Sequence, residues 1–256
     1  MITKDKVKKE ALKLNIEFCG IAKEDDKTII VCLFPYYVNF EKGNISRYAA
    51  IPDYHNIAKK YLNILAKKCK FTDFKVYSDV SPYNERLLAY NAGLGVIGRN
   101  NLLINEKYGS YVFIGLIELT GVILEPDIPL KKRCNECNRC IDFCVGKALK
   151  LDGFIKENCL SNITQKKGPL TNSEKNLIKK SGIVWGCDVC SEVCPMNEGI
   201  SETPLAEFRQ NIVPEVFEKD IENLSNKQFL GKYKDRAFTW RGKSVLLRNC
   251  KILNKN

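Results

Sequence analysis

The stretch RCNECNRCIDFCVGKAL, residues 133–149, contains Cys134, Cys137, Cys140 and Cys144. Their spacing, C-x2-C-x2-C-x3-C, is that of bacterial two-cluster ferredoxins, in which three thiolates hold one cubane cluster and the fourth reaches the other. Zinc, the alternative, favours two separated C-x2-C pairs, and a third cysteine two residues further on fits it poorly. The stretch therefore predicts a ferredoxin-like iron–sulfur domain.

A second run of cysteines completes the set of ligands. GCDVCSEVCPMN, residues 186–197, adds three cysteines, and Cys159 lies between the two runs. The sum is eight thiolates, the number that two [4Fe–4S] clusters require. The crossover typical of such domains assigns Cys134, Cys137, Cys140 and Cys194 to one cluster, and Cys144, Cys159, Cys187 and Cys190 to the other.

The composition narrows the class of protein. The chain has 256 residues, is 45% apolar and contains 12 cysteines, and no apolar run reaches the length of a membrane span. The charged N-terminus has no signal-peptide core, so we expect a cytoplasmic protein without membrane association. Reduced thiols in that compartment make disulfides improbable. We expect the remaining cysteines, Cys19, Cys32, Cys69 and Cys250, to be small core residues.

The net charge of +11 favours a polyanionic partner such as nucleic acid. A well-solvated surface explains the same charge equally well.

Hydrophobic periodicity predicts alternating helices and strands before the cysteines. Amphipathic patterns predict helices over 4–14, 52–68 and 82–93, the last ended by Gly93, and β-branched runs predict strands over 28–34, 73–77 and 111–124. We therefore predict an α+β or α/β fold with three parts. These are an α/β domain over 1–130, a ferredoxin-like two-cluster domain over 131–200 and a short, basic helical C-terminal segment over 201–256.

The segment AGLGVIG matches G-x-G-x-x-G at Gly93, Gly95 and Gly98, and Glu118 follows about 20 residues later. A dinucleotide site needs these glycines between a strand and a helix, but here they follow a helical pattern. We therefore expect no dinucleotide site. A loop that brings bare backbone close to a large ligand is compatible with the segment.

Several motifs together resemble one family. SRYAAIPDYHNI (46–57), SDVSPYNERLLAYNAGLGVIGRNNLLI (78–104), GSYVFIG (109–115), both cysteine runs and KKGPL (166–170) occur in the order seen in epoxyqueuosine reductases. The resemblance extends from about residue 4 to residue 256. It implies a flavin-reductase-like, corrinoid-binding α/β domain similar to that of reductive dehalogenases, with two [4Fe–4S] clusters and base-off cobalamin. The implied reaction reduces epoxyqueuosine in tRNA to queuosine, the last step of queuosine biosynthesis.

The resemblance also implies a catalytic acid. Asp79 matches the acidic residue of the family's D-x-x-P-x-x-E-R segment, here completed by Pro82, Glu85 and Arg86. A positioned acid would protonate the departing epoxide oxygen, and an apolar corrinoid face would raise the pKa of Asp79 towards that role. The alternative is that Asp79 caps the following helix.

The same resemblance implies a set of corrinoid-binding residues. His55 is the only histidine of the chain, and base-off cobalamin implies that it does not bind cobalt. It is expected to line the pocket instead. The residues implied to contact the corrinoid are Asp53, Tyr54, His55, Gly93, Gly95, Gly98, Arg99 and Asn100.

The chain ends before the HEAT-like repeats that longer relatives carry, which leaves other functions open. We expect a monomer that binds the anticodon stem-loop of tRNA and takes electrons from an external low-potential donor. The alternatives are a corrinoid-dependent reductase of a small molecule and a ferredoxin-type electron-transfer protein. Basic residues that could meet phosphates near the end of the chain are Arg236, Arg241, Lys243, Arg248 and Lys251.

Overall fold

The computed structural model describes residues 2–254, which form two compact units. The first unit contains the chain up to Tyr37, Tyr54–Glu136 and Met196–Glu207; the second contains Val38–Asp53, Cys137–Pro195 and the chain from Phe208 onwards. This partition differs from the sequential division into 1–130, 131–200 and 201–256. Two short segments, 38–53 and 196–207, each pack with a unit that is otherwise distant from them in sequence.

The elements are numbered in chain order. The strands are β1 (Cys19–Glu24), β2 (Lys27–Pro35), β3 (Phe74–Ser78), β4 (Val96–Ile97), β5 (Leu103–Ile104), β6 (Val112–Leu119), β7 (Leu149–Lys150) and β8 (Gly153–Phe154). The α-helices are α1 (Lys4–Leu12), α2 (Arg47–Ala50), α3 (Tyr54–Lys68), α4 (Glu85–Asn91), α5 (Arg139–Asp142), α6 (Leu160–Gln165), α7 (Asn172–Ser181), α8 (Val189–Glu192), α9 (Glu218–Ile221), α10 (Asn226–Tyr233) and α11 (Lys243–Asn254).

The first unit is built on a four-stranded sheet of order β1-β2-β6-β3. Each neighbouring pair in this sheet is antiparallel. Since β2 and β3 both run antiparallel to β6, they run in the same direction with β6 between them, and α3 connects them as a split βαβ unit. The predicted alternation of helices and strands is therefore found, but in an antiparallel α+β arrangement.

The central strands of the sheet have the apolar sequences that their burial requires. All of β2 after Lys27 is buried, as its apolar, β-branched sequence predicts. A side chain at Gly115 of β6 would place its Cβ 2.7 Å from the ring of Phe34 and 2.9 Å from Leu62 of α3. Gly115 is thus the position that lets α3 pack closely on the sheet. Strand β1 was not predicted, because its run CGIAKE is short and has no clear alternation.

The four cysteines outside the cluster motifs are buried, which confirms their prediction as core residues. Cys19 and Cys32 lie opposite each other on β1 and β2, with their sulfur atoms 3.7 Å apart. The hydrogen bond between these thiols and the burial of Cys32 raise the pKa of Cys32 well above its usual value.

The second unit has a helical core in which α11 packs against α6, α7 and α9. Helix α7 begins at a capping box formed by Thr171 and Glu174. The fully buried side-chain amide of Asn249 donates to the carbonyls of Thr164 at 2.7 Å and Val184 at 2.8 Å. The C-terminal segment is helical as predicted, and α11 is part of the core rather than a free basic tail.

Within residues 2–254, no helix combines the length and the apolar character needed to cross a membrane.

Candidate functional site

The first unit contains an open cavity of about 410 Å³ at the end of β3. Its wall comes from the start of α3, from the loop between β3 and α4, and from β6. The side chains that matter for its chemistry are Tyr54, Asp79, Tyr83, Glu85, Arg86 and Phe113. Carboxyl groups, a guanidinium and aromatic rings therefore meet in one concave surface, as ligand sites require.

Asp79 is the first residue after β3 and adopts a left-handed conformation with φ 69°. Aspartate tolerates this region better than most residues. Its side chain is 59% exposed and lines the cavity. The cap of α4 is Asn84, whose side chain accepts a hydrogen bond from the amide of Leu87 at 3.2 Å. The alternative role of Asp79 as a helix cap is therefore wrong.

The carboxylate of Asp79 is paired with the only histidine. His55 Nε2 lies 3.4 Å from Asp79 Oδ2. The hydrogen bond from His55 outweighs the opposing effect of burial and, together with a hydrogen bond from Tyr54, holds the pKa of Asp79 below its usual value. Among the described residues a hydrogen-bonding pair faces this carboxyl, and the effect of a corrinoid face on its pKa stays a prediction.

Aromatic rings support the histidine. The ring of His55 stacks on Tyr54 with a centroid distance of 4.1 Å, and Tyr54 stacks on Phe113 of β6 at 3.8 Å. This stack of three rings holds the His55 side chain in the position from which it contacts Asp79.

A buried carboxylate anchors the loop between β3 and α4. Glu118 of β6 is 3% exposed and accepts hydrogen bonds from Tyr83 at 2.7 Å, Tyr77 at 2.9 Å and Lys27 at 2.9 Å. Burial alone would raise the pKa of Glu118, but these donors outweigh it and hold the pKa at about 2. Sequence reasoning considered Glu118 only as a possible dinucleotide ligand and missed this network. The sequence feature that could have revealed the network is a carboxylate within an otherwise apolar strand.

Two glycines of AGLGVIG are required by the local backbone conformation and packing. Gly93 ends α4 with φ 71°, and a Cβ at Gly95 would lie 2.6 Å from the carbonyl oxygen of Ile104. The segment follows a helix, as predicted, which excludes the dinucleotide motif. Gly98 and Arg99 line a second cavity, of about 350 Å³, in the same unit.

The residues implied to hold the corrinoid do not share one cavity in the first unit. Tyr54 lines the first cavity, and Gly98 and Arg99 line the second. Asn100 is 5% exposed, and its buried Nδ2 has no hydrogen-bond partner among the described residues. Asp53 belongs to the second unit.

Four of the motif cysteines interact in the second unit. Burial raises the pKa of the Cys190 thiol, and the thiols of Cys187, Cys159 and Cys144 add to this effect. The amide of Ala148 donates to the Cys144 sulfur at 3.2 Å, and an amide hydrogen bond from Val189 reaches Cys187. Such N–H···S contacts are typical of iron–sulfur sites.

The remaining motif cysteines are divided between the units. Cys137, Cys140 and Cys194 belong to the second unit, whereas Cys134 belongs to the first. In the described part of the chain, no three His, Cys, Asp or Glu side chains are grouped closely enough to hold a metal ion as they stand.

Two families match parts of this sequence. Residues 133–197 match the 4Fe-4S double cluster binding domain, and residues 23–80 match the family described as epoxyqueuosine reductase QueG, DUF1730. The first match defines an iron–sulfur protein. An epoxyqueuosine reductase of Lactococcus garvieae is 33% identical over 251 residues, which cover 90% of this chain and 69% of the relative. The chain belongs to the epoxyqueuosine reductase family.

Other relatives are longer. The Staphylococcus aureus epoxyqueuosine reductase is 34% identical, and the match covers 81% of this chain and 55% of that protein. The chain thus spans only about half the length of some of its curated relatives.

Solved structures share the fold. The epoxyqueuosine reductase from Streptococcus thermophilus has a TM-score of 0.86 at 28% identity, covering 99% of this chain and 81% of that chain. An epoxyqueuosine reductase solved with a tRNA-Tyr epoxyqueuosine-modified stem loop has a TM-score of 0.85 at 24% identity, covering 98% and 80%. A catabolic reductive dehalogenase shares the fold at 13% identity with a TM-score of 0.57, covering 97% and 35%.

We predict that Glu118→Gln lowers the free energy of unfolding by about 2 kcal/mol near neutral pH, because charge-assisted hydrogen bonds become neutral ones. The folded-state pKa of about 2 lies below the usual 4.5. The advantage of the wild type is therefore complete above pH 4.5 and disappears as the pH falls towards 2. Urea unfolding followed by circular dichroism across this range measures it.

Glu125→Gln is the control, because that side chain is 82% exposed. It should leave stability nearly unchanged. A stability difference between wild type and Glu118→Gln that does not vary with pH would contradict the role of the charge.

Proposed function

We propose that this chain reduces epoxyqueuosine to queuosine in tRNA, in the cytoplasm, with two [4Fe–4S] clusters and cobalamin. The observation that carries the proposal is the combination, in one member of this family, of a double-cluster cysteine pattern with a cavity containing Asp79. We assign to Asp79, paired with His55, the role of delivering a proton to the substrate oxygen.

We assign the cluster ligands as the cysteine spacing predicts. One cluster takes Cys144, Cys159, Cys187 and Cys190, whose thiols interact in the second unit. The other takes Cys134, Cys137, Cys140 and Cys194. The clusters would relay single electrons from an external low-potential donor. The amide donors at Cys144 and Cys187 would favour reduction of the cluster that these two cysteines hold.

Cobalamin is compatible with what the first unit offers. The unpartnered buried Nδ2 of Asn100 is a donor of the kind that the amide groups of a corrinoid can satisfy. Gly98 and Arg99 adjoin it, and Gly93, Gly95, Tyr54 and His55 complete the proposed set in this unit. When bound, the corrinoid would supply a strong reductant, and the protein supplies proximity, protons and exclusion of water.

The protein's own part in the chemistry lies in the first cavity. Its volume of about 410 Å³ is within the range of pockets for small ligands, so it can accept a nucleobase extruded from its stack. The stacked rings of His55, Tyr54 and Phe113 hold the imidazole beside Asp79. The His55–Asp79 pair thereby keeps a transferable proton at the cavity wall.

The basic C-terminal residues contribute to tRNA binding less than their number indicates. Arg236 is 3% exposed, Arg248 donates to the carbonyls of Lys166 and Gly168, and Lys243 donates to backbone carbonyls.

A better candidate for contact with RNA is the pair formed by Trp240 and Arg241. The guanidinium of Arg241 lies 3.5 Å from the ring centroid of Trp240, which is 61% exposed. An exposed ring with a stacked guanidinium is a surface on which unpaired bases stack.

We predict that anaerobically purified protein contains about eight iron and eight sulfide ions per chain. Cys159→Ala should lower both towards about four and remove the electron paramagnetic resonance signal of one reduced cluster. Cys69→Ala, which changes a buried thiol of the first unit, should leave both clusters intact. Full iron in Cys159→Ala would contradict the ligand assignment, and zinc in the wild type would contradict the clusters.

The decisive experiment is incubation with tRNA that contains epoxyqueuosine, cobalamin and a low-potential reductant, followed by mass analysis of the nucleosides. We expect queuosine. An unchanged nucleoside with all cofactors bound would favour a small-molecule reductase. Absence of cobalamin binding would leave an electron-transfer protein.

We predict that Asp79→Asn lowers turnover by about 10²- to 10⁴-fold, because the amide cannot deliver the proton. Cluster content and the cobalamin spectrum should not change. The control is Asp26→Asn, an exposed aspartate in the β1–β2 turn of the same unit, which should retain wild-type activity. Normal turnover in Asp79→Asn would remove this residue from the mechanism.

A further inference from the structure

The first cavity contains a second carboxyl group, that of Glu85, the first residue of α4. The Oε1 atom of Glu85 is buried and has no hydrogen-bond partner among the described residues. The carboxyl group as a whole interacts with one side-chain hydroxyl, that of Ser81. A buried carboxylate normally accepts several hydrogen bonds. An oxygen left without a donor is a poor place for a full negative charge and suits a neutral carboxylic acid.

The charged groups around Glu85 do not supply a strong counter-ion. Arg86 directs its guanidinium to the carbonyl of Asn101, and His55 is engaged with Asp79. Burial raises the pKa of Glu85, the negative charge of Asp79 raises it further, and Arg86, His55 and the Ser81 hydroxyl oppose this less strongly. The two carboxyls of one cavity are therefore shifted in opposite directions, Asp79 down and Glu85 up.

The stoichiometry of the proposed reaction requires two protons. Converting an epoxide into an alkene breaks both carbon–oxygen bonds, forms the carbon–carbon π bond, and releases the oxygen as water. The substrate gains two electrons, from the external low-potential donor, and the departing oxygen gains two protons. The His55–Asp79 pair can supply one of them, which leaves a role for a second donor in the cavity.

Resting on the proposed function, we propose that Glu85 is the second acid of the reaction and gives one of the two protons that leave in the water molecule. The His55–Asp79 pair gives the other. Glu85 and the His55–Asp79 pair then recover their protons from solvent through the open mouth of the cavity. Glu85 is thus a catalytic residue and not only part of the wall.

The first test is Glu85→Gln, which keeps the size of the side chain and removes the acidic proton. Turnover should fall about 10- to 10³-fold with the KM for tRNA and the cofactor content nearly unchanged. Because Glu85 acts as an acid, wild-type turnover should fall as the pH rises through its pKa, and the variant should lack that decline. Glu125→Gln is the matched control and should behave as the wild type.

The second test does not depend on turnover. Infrared difference spectra of the holoenzyme across a pH titration should show the C=O stretch of a protonated carboxylic acid disappearing at high pH, and Glu85→Gln should lack that band. If Glu85→Gln proves unstable, Glu85→Asp, which keeps a carboxyl group, should retain part of the turnover with the alkaline decline moved to a different pH.

The outcomes separate the two proposals. If the wild type turns over and Glu85→Gln is equally active, only the role of Glu85 is overturned. The same holds if the wild type turns over and the infrared band is the same in both proteins. A cofactor-loaded wild type that leaves epoxyqueuosine unchanged overturns the proposed function and, with it, the role of Glu85 in that reaction.

Discussion

The hydrogen bonds that converge on Glu118 join the sheet of the first unit to its cavity. The carboxylate sits on β6, the strand that pairs with both β2 and β3, and it binds Lys27 from β2 and Tyr77 from β3. The third donor, Tyr83, comes from the loop that carries Asp79. One buried charge thus ties three strands to the segment on which the chemistry depends. A charge so well supplied with donors is stable where an unpaired one would not be.

Three carboxyl groups of the first unit have three different environments. Three donors lower the pKa of Glu118, the hydrogen bond from His55 lowers that of Asp79, and burial raises that of Glu85. The charge of Asp79 also disfavours ionisation of Glu85 in the same cavity. The hydrogen-bond donors therefore distinguish the three groups. Glu118 has a structural role, Asp79 is paired with His55, and Glu85 is the group most suited to act as a neutral acid.

The sequence predicted those features that rest on spacing or periodicity. The cysteine pattern, the buried strand β2 and the helix α3 follow from short-range regularities that a single chain displays. Features that depend on partners distant in sequence were not accessible, namely the antiparallel order of the sheet and the Glu118 network. The lowered pKa of Asp79 belongs to the same class, because residues 55 and 79 come together only through the split βαβ unit. The hydrogen bonds of Arg248 in α11 to backbone carbonyls belong to the same class, since charge is visible in a sequence and backbone acceptors are not.

The interleaving of the two units has a consequence for how this protein is made. The first unit lacks its last segment, Met196–Glu207, until most of the chain has left the ribosome. Tyr61 of α3 then gains its contact with Glu207 at 3.0 Å. Residues 137–195, which carry seven of the eight motif cysteines, therefore emerge before the segment that completes the first unit. Cutting the chain at any single point would leave at least one unit incomplete, so the oxidoreductase cannot be divided into two functional halves by simple truncation.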